Sequence, residues 1–235
     1  MADDLKKSGY STHIVGKWHL GFCNAKYLPT NRGFDDHFGY WNAAQDYFTH
    51  GNRPYDMWDD MRVAWEANGT YSSKLFQNKA TKIISEHDKS KPLFLYLPFQ
   101  SVHGPLQVPT QYKHMQDKSV NKDRRTFLGM ITAMDDAIGN VTQALKNKNM
   151  MDNTIIIFLS DNGGITHFGG DNSPLRGQKF DVLEGGTRTV AFVHGPGLVQ
   201  RTEQRMMHVV DWYPTIMAAI NSKPFQGINC FFLKL

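Results

Sequence analysis

Cysteine is nearly missing from this chain: Cys23 and Cys230 are the only two among 235 residues. That excludes a disulfide-dense scaffold and leaves at most one bridge, with the redox compartment open. No run of about 18 apolar residues occurs, so no segment reads as a membrane-spanning helix. Charge of one sign is also scarce. With 26 Lys and Arg against 22 Asp and Glu, the formal charge is +4 and the cations are scattered, which argues against a nucleic-acid partner and for a local small-anion site. The opening Met1-Ala-Asp-Asp-Leu-Lys-Lys lacks the apolar core of a signal peptide. No internal repeat or low-complexity linker appears. What is present, 40% hydrophobic and 12% aromatic residues, excludes disorder and suffices for one substantial core in a soluble, globular chain. The sequons at Asn68 and Asn140 would accept glycans in the secretory pathway, although such tripeptides also arise by chance.

Periodicity organises the chain. Phe127, Ile131, Met134, Ile138, Val141 and Leu145 recur at spacings of four and three, predicting a helix over residues 125 to 148. Leu75, Phe76, Ala80, Ile83 and Ile84 predict another over 72 to 87, and a third begins near Trp212 with Pro214 in its first turn. Between them lie apolar runs without polar alternation, at residues 92–99, 154–159 and 189–193, with a shorter one at 12–15 after an opening helix. Such runs predict strands buried on both faces of an α/β sheet. Residues 22 to 68 hold aromatics, Gly and Asp without a period and read as a long excursion over the strand ends.

In open α/β sheets, ligands bind beyond the carboxyl ends of the strands. Three such ends carry reactive groups: Gly16-Lys-Trp-His-Leu-Gly21, Gln100-Ser-Val-His-Gly-Pro105 and Ser160-Asp-Asn-Gly-Gly164. Converging on one edge, they would gather Lys17, His19, His103, Asp161 and Asn162 around one pocket. Each also has a bland reading. Asn-Gly after a strand is a strong turn signal, and Lys17, His19 and His103 would separately pass for a surface lysine and structural histidines. Against this, Lys17 and His19 at i and i+2 leave an extended segment by one face while Trp18 packs opposite. Asp161 and Asn162 supply oxygen ligands suited to a hard divalent cation such as calcium. His103, held by Gly104-Pro105, is a candidate general acid. The segment 174–188 adds Arg176, Lys179 and Arg188 in a glycine-punctuated loop. It is either a solvated charge run or a structured loop that aims Lys179 at a sulfate or phosphate oxygen.

The residues Gly9-Tyr-Ser-Thr-His-Ile-Val-Gly-Lys-Trp-His-Leu-Gly21 resemble the second signature of the sulfatases, and Leu159-Ser-Asp-Asn-Gly-Gly164 resembles the sulfatase metal motif. Residues 92–109 and 174–186 are similar to the arylsulfatase B type, N-acetylgalactosamine-4-sulfatase among them. The resemblance covers residues 1 to 227, read as the central part of a catalytic domain. Residues 228 to 235 read as a tail outside the family pattern.

The resemblance implies an alkaline-phosphatase-like α/β fold, a mostly parallel sheet flanked by helices. It also implies one Ca2+, and a formylglycine made from a cysteine by a formylglycine-generating enzyme. Asp161 and Asn162 then correspond to calcium ligands, the others lying upstream of this chain. Lys17 and Lys179 correspond to sulfate-binding cations. His19 would hydrogen-bond the formylglycine, and His103 would contact the sulfate ester and protonate the leaving oxygen. Both histidines should have pKa values displaced from solution. The substrate implied is an aryl sulfate or sulfated sugar, and the compartment is lysosomal or extracellular. Neither Cys23 nor Cys230 stands in the family's Cys-x-Pro-x-Arg pattern, so this chain is expected to lack the nucleophile, the acidic pair and the C-terminal domain, and to be inactive alone. Without the family's first strand, an open sheet interior or unpaired edge is also expected. Two alternatives remain: a non-catalytic anion-binding protein, and, ranked last, a phosphodiesterase of the same superfamily.

Overall fold

The computed structural model describes residues 1–51, 54–114, 119–221 and 229–234. Its strands are β1 (Ser11–Lys17), β2 (Asp36–Tyr40), β3 (Trp58–Asp59), β4 (Arg62–Val63), β5 (Leu93–Pro98), β6 (Thr154–Leu159), β7 (Ala191–His194) and β8 (Asn229–Lys234). The helices are α1 (Ala2–Lys7), α2 (Ser72–Glu86), α3 (Thr110–His114), α4 (Lys122–Asn147), α5 (Glu184–Thr187) and α6 (Trp212–Asn221). The strands form one sheet in the order β4-β3-β2-β1-β5-β8-β6-β7. The five from β2 to β6 in that order are parallel, with antiparallel additions at both sides. This is the mostly parallel, helix-flanked sheet expected.

The pleat of the central strands explains their unbroken apolar runs. Leu93, Leu95 and Leu97 of β5 face one core with Phe76, Ala80 and Ile84 of α2 and Ala137, Val141 and Leu145 of α4. Phe94 and Tyr96 face the opposite core with Leu5 of α1 and Trp212, Ile216 and Ile220 of α6. Alternate residues thus lose water to different helices. Burying each such Leu or Phe stabilises the fold by roughly 1.5–3 kcal/mol.

Three sequence expectations change. On α4, Met134, Val141 and Leu145 of the expected stripe are buried, but Ile131 is 37% exposed, and the buried face also takes in Thr126, Gly129, Met130, Ala133 and Ala137. The small residues let neighbouring backbone approach: a Cβ on Gly129 would lie 3.3 Å from the Tyr112 carbonyl oxygen and from Val108. The run at 189–193 is not buried on both faces. It becomes the edge strand β7, paired among the described residues only with β6, with Phe192 53% and Val193 43% exposed. The excursion 22–68 contains β2, a full parallel partner of β1, and the β3–β4 hairpin.

The tail residues supply β8, which sits between β5 and β6 and pairs with both. Cys230 and Leu233 are each 2% exposed. The opening expected in the sheet interior is therefore closed by the chain's own last strand, while β7 remains an open edge among the described residues.

Candidate functional site

β1 runs two residues past its apolar stretch, through Gly16 to Lys17, which stands in register with Tyr40 of β2. Gly16 has φ 133°, and a Cβ there would fall on the carbonyl oxygen of Pro98, so only glycine lets β1 and β5 close at this level. Beyond the strand, Trp18 N–H donates to the Tyr40 carbonyl (2.9 Å) and His19 N–H to that of Trp41 (3.1 Å). The Trp18 indole is buried and donates to the Gly21 and Tyr27 carbonyls at 3.1 and 3.0 Å. His19 turns into the left-handed region at φ 51° and is exposed. Simple strand alternation between Lys17 and His19 thus ends at Trp18.

After β5, Gln100 and Ser101 are buried, and His103 N–H closes a turn onto the Gln100 carbonyl at 3.0 Å. Cis peptide bonds precede Val102 and Pro105. The His103 Nδ1 lies 2.8 Å from the Gly104 carbonyl oxygen. Because that oxygen only accepts, Nδ1 carries the proton and Nε2 is left as the acceptor of the neutral ring.

After β6, the segment 160–164 is laced to the loop that follows it. Ser160 Oγ donates to the Asn162 carbonyl at 2.9 Å, and the Asn162 side-chain amide donates to the Gly163 carbonyl at 2.9 Å. Gly163 N–H donates to Gly186 at 3.0 Å. Asn172 clamps Gly164 from both sides, its Oδ1 accepting from Gly164 N–H and its Nδ2 donating to the Gly164 carbonyl, each at 2.9 Å. Lys179 N–H then reaches the Gly164 carbonyl at 3.4 Å. These bonds make 174–188 a structured loop and not a solvated charge run. Its cations are placed differently. Arg188 is exposed and paired with Glu184 at 3.2 Å, and Arg176 is exposed, whereas Lys179 is half-buried and acts on His103.

The convergence of the segments shows in the electrostatics of His103. Burial pushes its pKa down first, the Lys17 and Lys179 charges push it further down, and the Gly104 carbonyl and the Asp161 carboxylate pull it up. One group from each strand end and one from the loop therefore share a single field. His103 is neutral at pH 7, with a net cationic neighbourhood that an oxyanion would balance.

Asp161 is exposed. Asn162 spends its amide nitrogen on Gly163 and so presents Oδ1. Two hard oxygen donors fit part of a calcium shell, which needs six to eight. Among the described residues no three His, Cys, Asp or Glu side chains are grouped to hold a metal.

Sequence reasoning missed the buried layer beneath His103. The Tyr47 hydroxyl lies 3.0 Å from the Gln100 carbonyl oxygen and 2.8 Å from that of His103. Its partners are more than 50 residues away, so no local pattern could reveal them. Two surface depressions of about 410 and 430 Å³ lie elsewhere, one beside Asn121 and Arg124 and one between α2 and α4. Neither includes a converging group.

A family model described as Sulfatase matches residues 1–222. Arylsulfatase J of Mus musculus is 44% identical over 234 residues, spanning 96% of this chain and 39% of that protein. N-acetylgalactosamine-6-sulfatase of Homo sapiens is 27% identical over 247 residues, spanning 96% of this chain and 46% of that protein. Among solved structures, Ps i-CgsB in complex with k-i-k-neocarrahexaose superposes with TM-score 0.77 at 30% identity, covering 83% of this chain and 47% of that one. PsFucS1 sulfatase from Pseudoalteromonas sp. shares the fold at TM-score 0.80 and 24% identity, covering 97% and 52%. The chain thus spans less than half the length of these two curated relatives.

Proposed function

Because the chain belongs to the sulfatase family, we propose that its strand-end cluster is the sulfate-binding part of a sulfuric ester hydrolase site. The observation that carries this reading is the shared action of Lys17, Lys179 and Asp161 on His103. Lys17 and Lys179 bind the anionic oxygens and stabilise charge that grows on them during transfer. The neutral His103 offers Nε2 to the ester. Bound anion charge raises the affinity of that nitrogen for a proton, so the ring gains its acid form beside the leaving oxygen, more readily at acid pH. His19 takes the position next to the nucleophile that the resemblance assigns it. Asp161 and Asn162 would hold calcium, whose charge would neutralise the sulfate and polarise it.

The substrate class is a sulfated sugar or aryl sulfate, in keeping with the names of the relatives. Secretory placement, lysosomal or extracellular, is supported by the exposure of both sequon residues. Asn68 follows the turn at Trp65–Ala67, and Asn140 lies on the outer face of α4, its amide bonded to Gln77 at 3.2 Å and to the Asp136 carbonyl at 2.8 Å.

A second reading, anion binding without turnover by this chain alone, is favoured by its cysteines. Cys23 is exposed and Cys230 is buried in β8, its thiol pushed up to about 12 by burial. Neither stands in the Cys-x-Pro-x-Arg pattern of a formylglycine precursor. Titration with inorganic sulfate, followed by the His103 ring resonances, tests binding. A saturable shift, lost in Lys17→Ala and Lys179→Ala, is expected, and no shift at millimolar sulfate would refute the site. Calcium-dependent hydrolysis of an aryl sulfate by the purified chain would overturn the second reading.

A further inference from the structure

The sheet does not by itself hold His103. Hydrogen bonds meet that residue at its backbone N–H, its ring and its carbonyl. Its N–H donates to the Gln100 carbonyl at 3.0 Å, and its Nδ1–H to the Gly104 carbonyl at 2.8 Å. Its own carbonyl accepts from the Tyr47 hydroxyl at 2.8 Å. The first two lie within the turn. Of these, only the third reaches beyond the turn; the turn's earlier residues are held by Ser72 and Gln45, which bond the Gln100 side chain, and by Ser73, which bonds Ser101.

Tyr47 is built for that task. It is fully buried, and its ring stacks on Tyr71 with centroids 5.2 Å apart. Its hydroxyl also stands 3.0 Å from the Gln100 carbonyl oxygen, so one O–H is shared between the first and last residues of the turn. Its backbone is fixed too. Tyr47 N–H donates to Gln107 Oε1 at 2.8 Å, and Gln107 Nε2 donates to Asp46 Oδ2. Asp46 Oδ1 accepts from the Phe48 and Thr49 N–H groups at 2.9 and 2.7 Å. Gln107 follows the turn, so the brace grips the 100–107 segment at two levels. A buried network in which the members are satisfied is rigid, and a rigid support holds a reacting group in one orientation.

We propose that Tyr47 is the positioning residue of His103, its hydroxyl pinning the turn that sets the imidazole over the strand ends. The inference rests on the reading of His103 as a site group. It adds that the 45–50 segment, far from the motifs in sequence, determines how that group is presented.

The test is Tyr47→Phe in the full 235-residue chain, which keeps the ring and its stacking and deletes the oxygen. Released from its pin, His103 moves toward solvent and away from Lys17 and Lys179. Its titration, read from ring-labelled NMR spectra, moves up toward the ordinary histidine value, and affinity for inorganic sulfate falls roughly fivefold, the loss of about one hydrogen bond. Tyr71→Phe is the control. It deletes a hydroxyl from the same cluster, one bonded to the Gln107 carbonyl at 3.1 Å, and leaves the His103 titration in place. If Tyr47→Phe does not fold, Gln107→Met loosens the Tyr47 backbone and produces a smaller shift of the same sign. A His103 titration unchanged in the folded variants, or moved equally by Tyr71→Phe, overturns the proposal. Absence of any sulfate effect on the wild-type chain would instead refute the anion site, while a Tyr47-dependent titration would still establish the positioning.

Discussion

Asn229 locks the start of the last strand to β5 and to the turn that leads into β6: its Oδ1 accepts from Leu93 N–H at 2.8 Å and its Nδ2 donates to the Asn153 carbonyl at 3.1 Å. The side chain thereby sets β8 against the beginnings of β5 and β6 in one register. Asn229→Ala leaves a buried N–H without its partner, which costs about 1–3 kcal/mol. Chemical denaturation should show a lowered midpoint with an unchanged slope. An unchanged midpoint would mean the strand is not seated as described.

The two cysteines report on the same strand. Cys23 is exposed, whereas the Cys230 thiol is buried, hydrogen-bonded with Tyr10 and raised to about 12. Since the thiolate is the reactive form, a maleimide at pH 7 should label Cys23 promptly and Cys230 only on unfolding. Mass spectrometry of the intact chain counts the labels. Equal rates at both positions would contradict a central β8.

Gly163 permits the contact that brings Lys179 to the site. A Cβ there would fall on the carbonyl oxygen of Gly185, and backbone cannot give way as a flexible side chain can. Gly163→Ala should therefore cost roughly 1–3 kcal/mol and weaken sulfate binding together with stability. A variant with normal melting and normal binding would show that the two loops are not laced as found.

Lys17 and Lys179 both depress the His103 pKa. Replacing either with Met should raise the His103 titration and weaken sulfate binding about tenfold, the scale of one charge-assisted hydrogen bond. NMR titration separates these effects. A downward movement of the histidine would reverse the sign argued here.

Acid should destabilise the fold in two stages. Burial lowers the His37 pKa from 6.5 to about 4, against the Gly16 carbonyl and three nearby carboxylates. His50, His87 and His103 move in the same direction, burial being the largest cause for each. The unfolded chain then binds protons that the folded chain refuses, so this stability is present above pH 6.5 and declines as pH falls toward 4. His37 alone accounts for roughly 3 kcal/mol of the decline. Asp46 follows: burial opposes its ionisation, but hydrogen bonds from the Thr49 and Phe48 N–H groups and Gln107 hold its pKa at about 2. Its contribution is lost from pH 3.8 toward 2. Melting temperatures measured from pH 7.5 down to 3 should fall throughout, and a flat profile between 7 and 4.5 would contradict the burial of His37.

The central strand β6 was legible because burial on both faces demands an unbroken apolar run, and Thr154–Leu159 is one. β2 was not. Asp36, His37 and Gly39 spoil its pattern, and it is a strand because β1 supplies its ladder and the fold buries His37 as a neutral ring. On α4 the period marks the buried Met134, Val141 and Leu145 correctly, but one turn earlier the buried face passes through Gly129, small enough for close approach, and leaves the bulkier Ile131 exposed.

The sequence alone determined the family, the parallel core and the identity of the polar groups at the strand ends. Those depend on local order, since a residue that follows a buried strand must emerge at its end. Only the tertiary structure decided that Asn229–Lys234 completes the sheet, that the loop carrying Lys179 is laced to the end of β6, and that Tyr47 pins the turn. Each is a contact between segments far apart along the chain, and a hydrogen bond across 56 residues leaves no periodic trace in the order of amino acids.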